Sequence, residues 1–343
     1  MTEKFSGADG IRGLACLIVL CAHVPGFFVP EIAKYFSGTG KFGVWLFFVL
    51  SAFLLTSKFS KNGFSIPELS GYAIGRTLRI IPLFMLVTLI YWNFNSAGIL
   101  TGGDVLSANT FKQGYAHLWT IPVEFKYYFF LPAMAYSFIM IERRHGHFST
   151  IILATMIIFF HQLAWPYWNT PENSISTYWY IPSFVLGSYA AVSINTLRQY
   201  ITPLTSTLIA SLVTLSLLFM SPGGRNILLG MPFDGWLMNK FIFLSFLWML
   251  FVVFLADGKG VVGRLMQTTL LKTLGAWSYS IYLIHWLFYQ KLSLVQHGWI
   301  YAFFAMLGSI GAGAFLYLVI EAPIEKFRHS LQKKINPKLL QAA

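Results

Sequence analysis

The chain has 343 residues, of which 56% are hydrophobic and only 10% are charged, with a formal net charge of +12 and a mean hydropathy of +0.64. Soluble domains carry about 25% charged residues, so a water-soluble globular domain is excluded and lipid is the expected solvent. The basic excess invites a nucleic-acid reading, but its distribution along the chain follows membrane topology instead, and no nucleic-acid motif is present.

A hydrocarbon layer of about 30 Å needs about 17–25 apolar residues per helix. Runs of that kind predict an all-α, polytopic integral membrane bundle of about ten transmembrane helices, near 11–29, 41–57, 80–97, 123–141, 150–166, 178–195, 203–220, 238–256, 274–290 and 300–321. They leave no room for a separate soluble domain, so residues 1–343 are expected to form one transmembrane domain, with 322–343 a basic cytoplasmic tail. With the amino terminus in the cytoplasm, the opposite side receives Lys34, Lys41, Lys112, Lys126, Arg225, Lys240 and Lys291. The other 17 of the 24 basic residues then fall inside, and both termini are expected to be cytoplasmic. The tail EKFRHSLQKKINPK reads as a membrane-surface anchor that meets lipid headgroups.

The first run, Ile11 to Val29, follows a short polar start and carries Arg12 and His23 without a small-residue cleavage pattern. It is read as a span and not as a removable signal. Cys16 and Cys21, the only cysteines, lie inside it as small apolar packing residues. Arg12 and His23 are eleven residues apart, which at 100° per residue leaves about 20° after three turns and about 16 Å along the axis. One helix face therefore carries an arginine at the cytoplasmic edge and a histidine near mid-membrane, with Asp9 close to the same face. Such a histidine can act as base or nucleophile; a structural histidine bonded to a carbonyl is the alternative.

Three further clusters place polar groups in apolar helices, where each is a functional hypothesis by default. In GRTLRIIP, Arg76 and Arg79 sit one turn apart and suit a phosphate-bearing ligand, or serve as ordinary positive-inside anchors. In HLWTIPVEFKYYFFLP, Glu124 and Tyr128 are spaced i, i+4, and Glu124 either orients a histidine, accepts a substrate hydroxyl, or is neutralised by Lys126. In GAWSYSIYLIHWLF, Ser278, Tyr282 and His285 share one face, again with a structural histidine as the alternative. The histidines His23, His117, His161 and His285 show no ligand spacing, so no metal is expected.

Taken in order, these segments resemble the acyltransferase-3 family of integral membrane acyltransferases that modify bacterial glycans. The resemblance rests on Arg12 and His23 in DGIRGLACLIVLCAH, on FFVLSAFLL, RTLRIIP, LWTIPVEFKYYFFLP and YSIYLIHW, and on the closing IEAP, and it covers nearly the whole chain. Ala52 stands where Gly commonly follows the serine of the second motif. Phe125 stands beside Glu124 where an acidic pair is common, and Leu287 where proline often follows His-Trp.

The resemblance implies a multi-pass protein of the bacterial inner membrane. It would transfer an acyl group, most often acetyl, from cytoplasmic acyl-CoA to a sugar hydroxyl of a surface or lipid-linked glycan. On that reading Arg76, Arg79 and Arg12 hold acetyl-CoA by its phosphates. His23 is base or nucleophile, Glu124 orients it or binds the acceptor, and Tyr282 or His285 stabilises the oxyanion. The family often carries a fused SGNH-type domain; with the chain closing soon after Glu321, the membrane domain is expected to handle the acceptor itself. The rivals are a transporter, which predicts inverted repeats not evident here, and a non-catalytic component of a glycan assembly complex. The acceptor and the oligomeric state are left open.

Overall fold

The computed structural model describes residues 5–335, which are mostly helical with no strand among them. In chain order the helices are α1 (Ala8–Phe28), α2 (Pro30–Ala33), α3 (Gly40–Asn62), α4 (Ile66–Asn93), α5 (Gly102–Asn109), α6 (Thr120–Ala164), α7 (Ile181–Leu197), α8 (Pro203–Met220), α9 (Pro222–Leu229), α10 (Phe241–Leu255), α11 (Gly260–Met266), α12 (Thr269–Ser293), α13 (Trp299–Leu316) and α14 (Ala322–Ile335). A π-helical turn, Tyr317–Glu321, joins the last two. Lys4 and the end of the expected basic tail, Lys338 included, lie outside the described residues.

Among the described residues, six helices are long and apolar enough to cross a membrane, or seven if α10 and α11, bent by 86° at their junction, form one span. The expected spans 123–141 and 150–166 both fall in α6, whose helical path breaks at Gly146 (φ 78°, ψ −179°), inside the polar run ERRHGH. Those expected at 178–195, 238–256 and 274–290 fall on α7, α10 and α12, which do not pass that test on their own. Large apolar side chains such as Phe129, Leu215 and Phe303 are exposed. In water such surfaces are aggregation hazards; in lipid they are the solvent-matched face of the bundle.

Local sequence chemistry sets several helix starts. Thr101 caps α5 and Thr202 caps α8 through reciprocal capping boxes, and proline sits in the first turn of α4, α7 and α8. Packing between helices rests on small residues that let backbones meet, as expected where lipid supplies no hydrophobic drive between helices. A Cβ at Gly13 would lie 2.1 Å from the Leu271 carbonyl oxygen, and one at Gly275 would lie 1.8 Å from that of Asp9, so α1 and α12 are seated directly on each other. Gly43 brings α3 against Ala15 of α1, and Gly187 brings α7 against Val49 of α3. The polar segments of α1, α3, α4, α6 and α12 thus converge on one interior.

Candidate active site

The contact between α1 and α12 places His23 against His285. The Nδ1 of His285 lies 2.7 Å from the Tyr282 carbonyl oxygen. A carbonyl only accepts, so this nitrogen carries the ring proton, and in a neutral ring Nε2 is left bare. That bare nitrogen is 3.2 Å from Nδ1 of His23, which therefore donates to it. The consequence falls on the far nitrogen of His23: its Nε2 is unprotonated and lies beside Gly40, where an added Cβ would be 3.3 Å away. His23 and Gly40 both line a cavity of about 250 Å³ that also contains Lys41, Glu172, Trp119 and Trp286. His285 is completely buried behind it.

A third histidine completes the cluster. The His117 ring centroid is 4.6 Å from that of His285 and 5.4 Å from Trp286, on which it stacks. Its Nε2 lies 3.2 Å from the Leu283 carbonyl, while its Nδ1 is buried without a hydrogen-bond partner. The sequence reading noted His117 only as one of several scattered histidines. Its position just before the LWTIPVEF segment is the one signal that associates it with the site. Among the described residues no set of three His, Cys, Asp or Glu side chains converges as metal ligands would.

Toward the other end of the bundle lies a cavity of about 340 Å³. Arg12, Lys58, Arg76, Arg79 and Arg328 line it, against the single lining carboxylate of Glu124. Arg12 is held by Asp9 at 3.2 Å, and the Arg76 guanidinium lies 5.7 Å from the centre of the Tyr128 ring. The Tyr128 hydroxyl donates to Glu124 at 2.5 Å and lies 3.1 Å from the Ser51 hydroxyl. Arg79 also feels the carboxylate of Glu321, which accepts from Ser280 at 2.7 Å. The two cavities share Val44 and Tyr282 in their walls.

The structure thus gathers Arg12, Arg76, Arg79 and Glu124 around one cavity, and His23 with His285 at the other. Glu124 is not brought to His23: its partner is Tyr128, and the group behind His23 is His285. Lys126 donates to the Phe111 carbonyl at 3.4 Å. The Tyr282 hydroxyl donates to the His117 carbonyl at 2.7 Å and is 2.9 Å from the Thr120 hydroxyl. Both Tyr282 and His285 therefore commit their protons to carbonyls in this geometry. Lys58, Arg328, Lys41 and Glu172 belong to the cavity walls although no motif points to them; Lys41 and Glu172 pair across the histidine cavity at 3.7 Å.

A family model described as an acyltransferase domain matches residues 5–319. No curated protein and no solved structure matches the chain.

Proposed function

The chain belongs to the acyltransferase-3 family, and from that premise we propose that it is a multi-pass O-acyltransferase of the bacterial inner membrane. It would move an acetyl group from cytoplasmic acetyl-CoA to a sugar hydroxyl of a surface or lipid-linked glycan. The observation that carries this reading is the pair of cavities meeting at Val44 and Tyr282, one rich in guanidinium groups and the other holding a histidine with a bare nitrogen.

In this reading both termini and the arginine cavity face the cytoplasm, and the ten expected spans are completed by α7, α10, α12 and the two arms of α6. The donor enters from the basic end. Five cations against one carboxylate suit its phosphates, because guanidinium–phosphate bonds are charge-assisted and bidentate. The thioester then stands at the shared wall. The acceptor hydroxyl occupies the histidine cavity, where Trp119 and Trp286 offer aromatic faces and Glu172 a hydrogen-bond acceptor.

The step is direct transfer. His23 Nε2 takes the hydroxyl proton as the oxygen attacks the thioester carbon; the new C–O ester bond forms, the C–S bond breaks, and the proton passes to the departing sulfur. Because Nε2 lies on the acceptor side, a base acting on the hydroxyl fits better than an acyl-histidine intermediate. Tyr282, in the wall that both cavities share, serves the developing oxyanion by turning its proton from the His117 carbonyl. Glu124, bonded to Tyr128, shapes the donor cavity.

The test is His23→Ala, purified in lipid nanodiscs and supplied with acetyl-CoA and surface glycan extract. The expected result is loss of acetyl transfer with donor binding retained; near wild-type transfer refutes the mechanism. Mass spectrometry of surface glycans from cells with and without the gene identifies the acceptor by its missing acetyl mass.

A further inference from the structure

At its Lys58 end the basic cavity takes part of its wall from α14, and this helix is not seated on lipid alone. Gln332 donates to the Gly71 carbonyl of α4 at 2.7 Å and is buried, as is Arg328. Gly75 makes this docking possible: a Cβ there would stand 2.9 Å from Gln332 Nε2 and 3.3 Å from Arg328 Nη1. Arg328, His329 and Gln332 consequently form part of the cavity wall. Arg328 is gripped by Glu325 through both its Nε and one terminal nitrogen, a carboxylate in the place a bidentate anion would take.

Depth along the cavity is measured by α3. Val44 lies at the wall shared with the histidine cavity and Lys58 at the opposite end, fourteen residues away, which is about 21 Å of helix. Arg328 belongs to the Lys58 end. It repels Lys58 together with Arg76, and it meets α4 at Gly75, before Arg76 and Arg79. A coenzyme A thioester is asymmetric: its sulfur and its adenosine 3′-phosphate are at opposite ends of the molecule. With the sulfur at the Val44 end, the 3′-phosphate stays at the mouth.

The geometry points to Arg328 as the residue that binds the adenosine 3′-phosphate of the acyl donor, with Glu325 occupying its guanidinium until the donor displaces it. This rests on the reading of the basic cavity as the donor site, and it goes beyond that reading by assigning specificity. Arg79, a turn beyond the Gly75 contact, holds the pyrophosphate that coenzyme A shares with its 3′-dephospho form. Arg328 separates the two.

The experiment is isothermal titration of the full chain in nanodiscs with coenzyme A and with 3′-dephospho-coenzyme A. The wild type is expected to prefer coenzyme A by about tenfold or more, as a charge-assisted contact to phosphate provides. Arg328→Gln is expected to bring coenzyme A down to the dephospho form while leaving the latter within about twofold, and Arg328→Lys to keep part of the preference. Arg79→Gln weakens both ligands alike. The readout is the ratio of two dissociation constants in one preparation, so a partly folded variant does not confound it. Equal binding of both ligands by the wild type, or equal weakening of both by Arg328→Gln, overturns the assignment and leaves the donor-site reading standing. Binding of neither ligand overturns both.

Discussion

Replacing His285 by phenylalanine tests the hydrogen-bond chain behind His23 with little change of shape. The substitution removes the acceptor 3.2 Å from His23 Nδ1 and the donor to Tyr282 O, whose carbonyl stays within the α12 helix. One such bond is worth about 1 kcal/mol net. Its loss also frees His23 to carry its proton on Nε2, the nitrogen that must be bare. Where a buried carboxylate fixes the tautomer of a catalytic histidine, losing it costs about 10⁴ in rate. A neutral ring fixes the tautomer without stabilising the imidazolium by a full charge, so a smaller loss of about 1–3 kcal/mol is expected, or about 5- to 150-fold in kcat. KM for acetyl-CoA should hold within about twofold, because a contact made away from the donor affects the chemical step and not ground-state binding, and His285 does not line the arginine cavity. His285→Gln, whose amide oxygen can accept from His23, should recover part of the rate. The assay is initial-rate thiol release from acetyl-CoA by purified protein with acceptor glycan present. A kcat within twofold of wild type, or a loss carried by KM, refutes the reasoning.

Arg76→Gln and Arg79→Gln are each expected to raise KM for acetyl-CoA by about 10- to 100-fold, the value of a charge-assisted contact, with a smaller change in kcat; steady-state titration of the donor measures it. Gly275→Leu forces a side chain onto the Asp9 carbonyl, 1.8 Å from the Cβ position, and backbone cannot yield as a flexible side chain does. The loss should exceed the roughly 1–3 kcal/mol of ordinary overpacking and appear as a collapsed monodisperse peak in size exclusion. In the first turn of α5, hydrogen bonds from the Thr101 and Tyr115 hydroxyls and from the Leu100 and Thr101 amides hold the half-buried Asp104 carboxyl down at about 2. Its folded value is depressed, so its contribution is present above the ordinary carboxylate range and is lost as pH falls through about 2. The protection of amides 101–105, measured against their intrinsic exchange rates, should therefore fall in acid, and Asp104→Asn should show the lowered protection already at neutral pH.

What the sequence made legible is what helix periodicity alone decides. The eleven-residue step from Arg12 to His23 puts both on the interior face of α1, lining the two adjoining cavities, and the i, i+4 step from Glu124 to Tyr128 becomes a 2.5 Å hydrogen bond. The break between two arms of α6 follows from the charged run around Gly146. Relations between helices were not legible in the same way. His23 meets His285 because Gly13 and Gly275 let two backbones touch, a crossing geometry that no single-helix pattern contains. The same limit hid His117, which comes from the segment before α6, and Arg328, which lies in a stretch that reads as a lipid-surface anchor until Gln332 docks on Gly71. Ser278 shows the converse: it shares the predicted face with Tyr282 and His285, yet its hydroxyl bonds back to the Gly275 carbonyl at 2.8 Å.

The choice of a neutral partner for His23 follows from where the proposed chemistry takes place. A carboxylate behind the ring would hold an imidazolium more strongly, but a buried ion costs several kcal/mol unless its counter-charge is always present, and here the counter-charge would exist only during transfer. In the proposed step the proton taken from the hydroxyl leaves on the sulfur, so the site begins and ends each cycle without net charge. A histidine that accepts from His23 while donating to the Tyr282 carbonyl preserves orientation through that cycle and imposes no standing charge on the membrane interior. Glu172, the acid that does line the histidine cavity, is consistent with this: it is offset by Lys41 at 3.7 Å. The permanent charges gather where the donor brings permanent anions to meet them, in the arginine cavity.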